Sequence, residues 1–250
     1  MSRSIIAGLA VLAGAASIAA PAITGTAAAS AKPTVVYGFA WADGPGTLRI
    51  TPHRPRLVKL EGTPTYRLSP IKGAKELRVG YTGADFRRVT AECGLKETEG
   101  VVRLDGNGLG RTPCTDSDLT FALGLNPVPV RISLGPKVLV QEFLVSPAEN
   151  ETAYGTVRRV NDTTVLFRTG RKTVKLGYTL LTFERVTKRC GDPWLANRVN
   201  ASRTGLGTKT CDQRSFAKAL RTAGRPVRVK AYYDPLSGRL DQVWEVAPRR

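Results

Sequence analysis

Four cysteines and one histidine hold most of the reactive side chains in this chain of 250 residues. The cysteines form two pairs of equal spacing, Cys93/Cys114 and Cys190/Cys211. Such pairs hold zinc, act as redox couples or close disulfides. A structural zinc site needs four ligands, and neither pair has a histidine beside it, so no metal site is expected. His53, between Pro52 and Arg54, is the single histidine and reads as a solvated loop residue rather than a base. Asp116 and Asp118 fall where a helix starts, and carboxylates there satisfy free N–H groups and the helix dipole. Gly108-Leu109-Gly110 lacks the third glycine or the Gly-Lys-Thr of a phosphate loop. No catalytic residue and no cofactor is assigned, and the chain reads as a non-enzyme.

What positions these groups is a duplication. Gly80-Tyr81-Thr82 returns as Gly177-Tyr178-Thr179, Arg88-Val89-Thr90 as Arg185-Val186-Thr187, and Cys93 and Cys114 as Cys190 and Cys211, all 97 positions apart. Pro129-Val130-Arg131 matches Pro226-Val227-Arg228 at the same offset. One offset held across so many identities marks two copies of one unit. Toward the ends the offset drifts: Tyr37-Gly38 matches Tyr154-Gly155, and Gln141 is placed opposite Gln242. The first repeat is read as 37–147 with an insertion near 52–74, an inserted hairpin by its two short apolar runs. A linker at 148–153 leads to the second repeat, 154–250. A unit that existed before duplication had to close its own bond, so the expected disulfides are Cys93–Cys114 and Cys190–Cys211.

Within the second repeat, Tyr154–Val160, Thr163–Arg168 and Thr173–Tyr178 read as strands separated by turns. Asp212 stands where a helix cap belongs, Phe216, Ala219, Leu220 and Ala223 follow at helical spacing, and Gly224 with Pro226 ends the helix. Two more strands close the unit. Three strands, a helix and two strands resemble the OB fold, a five-stranded barrel. The expectation is mainly β: two tandem OB-like barrels, each with its helix between strands three and four and one internal disulfide. Small α+β sandwich repeats would give the same reading.

Residues 1–31 read as an export signal: Arg3, an apolar run, then Ala29-Ser30-Ala31 as a cleavage pattern. A membrane anchor is the alternative, although Pro21 and Gly25 interrupt the run. No later stretch is long and apolar enough to span a bilayer. The Ala-rich leader and Arg-rich body resemble secreted proteins of high-GC Gram-positive, actinomycete-like bacteria. A secreted protein, extracellular or loosely bound to the cell wall, is expected.

The net charge is +18, from 38 basic and 20 acidic residues. It is unequally shared, +4 over 37–147 and +14 over 154–250. A surface this basic attracts polyanions or is simply well solvated. In OB-like barrels strands two and three carry the ligand, which implies Arg168, Arg171, Lys172 and Lys175. Tyr178 is either a stacking platform or core, and Arg158 and Arg185 extend the same basic run. The expected function is a non-catalytic module binding an anionic partner, a cell-envelope polymer before nucleic acid. The alternative is a protein-interaction or enzyme-inhibitor protein that presents the 52–74 insertion.

Overall fold

A computed structural model describes residues 34–96, 100–147 and 149–248. The proposed signal at 1–31 lies outside these described residues. The first repeat runs β1 (Thr34–Ala42), β2 (Thr47–Ile50), β3 (His53–Leu60), β4 (Thr63–Pro70), β5 (Leu77–Gly80), β6 (Asp85–Arg88), β7 (Thr112–Cys114), α1 (Asp116–Leu125), β8 (Val128–Leu134) and β9 (Leu139–Glu142). The second runs β10 (Glu151–Asn161), β11 (Thr164–Thr169), β12 (Lys172–Gly177), β13 (Thr182–Arg185), β14 (Lys209–Cys211), α2 (Gln213–Ala223), β15 (Val227–Asp234) and β16 (Arg239–Glu245).

Both repeats follow one path. The sheet orders are β5-β2-β1-β8-β9-β6-β7 and β12-β11-β10-β15-β16-β13-β14. The first five strands of each, with the helix before the fourth, make the barrel-like unit. The second repeat closes its ring, because Gly177 of β12 pairs in parallel with Arg239 of β16. Each sheet has seven strands rather than five. The added pairs, β6 with β7 and β13 with β14, continue the sheet beyond the fifth strand. They are three or four residues long, too short to show an alternating pattern. Their ends carry the disulfides Cys93–Cys114 and Cys190–Cys211.

The helices start and stop where their chemistry requires. Asp212 caps α2 by accepting from the Ser215 N–H at 2.9 Å, and Gly224 ends it in a left-handed turn. Thr115 and Asp118 cap α1 reciprocally. Leu119, Ala122 and Leu123 of α1, and Phe216, Ala219 and Leu220 of α2, fill one core each.

The fifth strands correct the offset read from sequence. Phe86 pairs with Val140, and Phe183 with Val243. Glu142 therefore corresponds to Glu245, not to Val243. The slip is two residues, and a two-residue slip leaves every strand side chain on its own face, so the apolar pattern could not reveal it.

The inserted segment is the two-stranded hairpin β3–β4. It lies over the outer side of β1, where Tyr66 and Leu68 pack with Phe39, Leu109 and Phe143. The Tyr66 hydroxyl donates to the Asn107 carbonyl at 2.7 Å, and burial pushes its pKa up to about 12. Strand β1 reads Val-Val-Tyr-Gly-Phe-Ala-Trp-Ala because both its faces are covered. Its outer Trp41 reaches the second repeat and lies on Gly177, where an added Cβ would sit 2.6 Å from the indole. Glu76 joins the repeats as well, accepting from Arg49 at 3.1 Å and from Lys175 at 2.8 Å.

Candidate functional site

The basic residues singled out in the sequence do not form one face. Arg168 of β11 is exposed and points outward, opposite Thr173. Lys172 pairs with Thr169, one residue out of phase, and so projects from the other side of the strand. Arg171 sits in the turn after Gly170. Lys175 shares the outer side with Arg168, but its ammonium is held by Glu76 of the first repeat. Tyr178 is core, edge-on to Phe216 at 5.4 Å.

Arg185 is not a surface residue at all. It is fully buried and binds Glu245 through two nitrogens, each at 3.3 Å. Its remaining donors hold the carbonyls of Cys190 at 2.8 Å, Asp192 at 2.7 Å and Pro193 at 3.0 Å. Arg88 does the same in the first repeat, with Glu142 at 3.1 Å and the Cys93 and Leu95 carbonyls at 2.6 Å. Burial pushes the Glu142 carboxyl upward against the pull of Arg88. This duplicated pair pins the start of each disulfide loop to the fifth strand. Its signal in the sequence is a glutamate in the last strand of both repeats, hidden by the two-residue slip.

The register assembles a different basic face. β10 lies between β11 and β15, and Thr156 faces Arg168 on one side and Arg228 on the other. Two residues along β10, Tyr154 faces Lys230, which in turn faces Trp244 of β16. Arg158, also exposed, continues the outer side of β10. Tyr154 is 49% exposed. The Lys230 ammonium lies 5.0 Å from the Trp244 ring centroid and 6.0 Å from that of Tyr154. Tyr154, Thr156, Arg168 and Arg228 border a shallow depression of about 370 Å³. Gly155 lies among them, and its missing side chain faces inward, where a Cβ would strike the Arg168 carbonyl and the core Phe167 ring. Among the described residues no carboxylate pairs with Arg158, Arg168, Arg228 or Lys230.

The first repeat lacks this opening. Tyr37, Phe39 and Trp41 stand where Tyr154, Thr156 and Arg158 stand in the second. Tyr37 and Phe39 are under the hairpin, and Trp41 is against the second repeat.

His53 also departs from the sequence reading. It is 9% exposed, opens β3, and packs edge-on to Phe39 at 6.1 Å with Nδ1 2.8 Å from the Thr51 carbonyl. The hairpin folds back onto β1 and takes it out of solvent. His53 borders a cavity of about 260 Å³ between the repeats, with Trp41, Arg49, Glu76, Lys175 and Ser237. The charged groups there are spent on one another: burial would raise the Glu76 carboxyl, but the Lys175 hydrogen bond and the Arg49 charge hold it below its ordinary value. The grouping of Cys93, Cys114 and Asp118 offers no thiolate to a metal, because both sulfurs are in a disulfide. No helix among the described residues is long and apolar enough to cross a membrane. No family model, curated protein or solved structure matches this chain.

Proposed function

We propose that this is a secreted, non-catalytic module that binds an anionic extracellular or cell-envelope partner through the outer face of its second repeat. The observation that carries the reading is the register of β11, β10 and β15, which sets Arg168 and Arg228 astride Thr156 on an open surface beside Tyr154 and Lys230. Guanidinium groups with no carboxylate partner among the described residues, on the exposed outer side of a sheet, suit phosphate, sulfate or carboxylate groups of a polymer. The two disulfides fit an oxidising compartment.

Retention of the full chain on a heparin column tests it. Replacing Arg158, Arg168, Arg228 and Lys230 with Gln is expected to lower the eluting salt sharply. Replacing Arg171, Lys172, Lys188 and Lys209 removes the same charge from other positions and is expected to lower it much less. Equal losses would mean a diffuse charge cloud and no site.

A protein partner at the hairpin is the second reading. Leu57 and Leu60 are each 48% exposed near its turn, and a complex stable in high salt would favour it.

A further inference from the structure

Resting on that reading, we infer that the ligand of the outer face is an acidic glycan carrying about one anionic group per disaccharide, rather than a polymer charged at every unit. Spacing and ring chemistry select such a ligand. Arg168 and Arg228 are separated by one strand, β10, so their Cα atoms stand about 10 Å apart, twice the strand spacing. Tyr154 and Trp244 are likewise separated by one strand, β15. The face therefore has two parallel rows, Arg168-Thr156-Arg228 and Tyr154-Lys230-Trp244, about 7 Å apart along the strands. Each row repeats at about the length of an extended disaccharide.

A polyphosphate or a single-stranded nucleic acid places an anion on every unit and would set charges opposite Thr156 and the aromatic rings as well as opposite the cations. A glycan with alternating neutral and acidic sugars sets its carboxylates or sulfates opposite Arg168 and Arg228 in one row or Lys230 in the other, and a neutral sugar opposite Thr156 or on the Tyr154 ring. Thr156 supplies a hydroxyl between the two arginine positions, suited to a neutral sugar's hydroxyls. Tyr154, nearly half exposed, offers its ring without rearrangement.

The test is titration of the full chain at about 0.15 M salt, where longer-range attraction is largely screened. The probes are hyaluronan oligosaccharides, with one carboxylate per disaccharide, polyphosphate and oligo(dT). Two variants are compared, Tyr154→Ala, which leaves the charge unchanged, and Arg168→Gln/Arg228→Gln; thermal melting checks that both fold. The expected result is at least fivefold weaker hyaluronan binding for Tyr154→Ala with polyphosphate binding changed less than twofold, and weaker binding of both by the arginine variant. Loss in the arginine variant with no effect of Tyr154→Ala on hyaluronan would leave the anionic face standing and overturn the glycan. A Tyr154 effect on oligo(dT) alone would assign the face to nucleic acid instead. If neither variant changes any affinity, the face itself is the wrong site.

Discussion

The indole N–H of Trp41 donates to the Ser237 carbonyl at 3.0 Å, across 196 residues of chain and from one repeat to the other. The same ring lies flat enough on Gly177 that no Cβ fits between them, and Arg49 covers it at 5.2 Å. Gly177→Ala is expected to cost about 1–3 kcal/mol by overpacking, and Trp41→Ala about 3–5 kcal/mol. Urea unfolding measures both. A Gly177→Ala protein as stable as the parent would show that the ring has room to move aside.

Acid should weaken the same contact. Glu76 has its carboxyl held below the ordinary range in the folded state, so its contribution is full above the unfolded value and fades as pH falls through the lowered one. Glu76→Gln should therefore cost about 1–3 kcal/mol at neutral pH. The difference from the parent should shrink toward zero below about pH 4. A pH-independent difference would point to lost packing rather than lost charge.

Arg185→Met leaves Glu245 buried without its partner and is expected to destabilise by about 3–5 kcal/mol. Arg185→Met/Glu245→Met should recover part of that loss, though Val186 and Leu195 lose the acceptor for their N–H groups. Heparin retention of the folded Arg185→Met protein should fall by no more than any single surface charge accounts for.

The two buried tyrosines make an internal control. Tyr81 bonds Thr120 at 3.0 Å, but Ala217 stands at the corresponding place in the second repeat and the buried Tyr178 hydroxyl has no partner among the described residues. Tyr81→Phe should cost about 1 kcal/mol, while Tyr178→Phe should be neutral or stabilising by a similar amount. Equal costs in chemical denaturation would indicate an unseen partner for Tyr178.

Much of the architecture was legible because it is local or repeated. The equal cysteine spacings identified the disulfides, Asp212 and Gly224 marked the helix ends, and the apolar runs around Leu57 and Tyr66 marked a hairpin. The candidate face was not legible, because it depends on which strands become neighbours. Arg168 and Arg228 are 60 residues apart and meet only because β10 lies between their strands. Arg171, Lys172 and Lys175 lie close together in sequence and diverge, since alternation and a turn send them to different sides. Arg185 sits in a basic run and is interior only because Glu245, far along the chain, comes to meet it.

The hairpin also divides the two copies in how much change they can bear. By covering Tyr37 and Phe39 it moves residues of an outer sheet face into an interior, while Tyr154 and Thr156 stay in solvent. Corresponding positions thus answer to different selection, one for shape and the other for whatever touches the surface. A saturation scan should find polar substitutions rejected at Phe39 and accepted at Thr156, two sites with one ancestry and opposite tolerance.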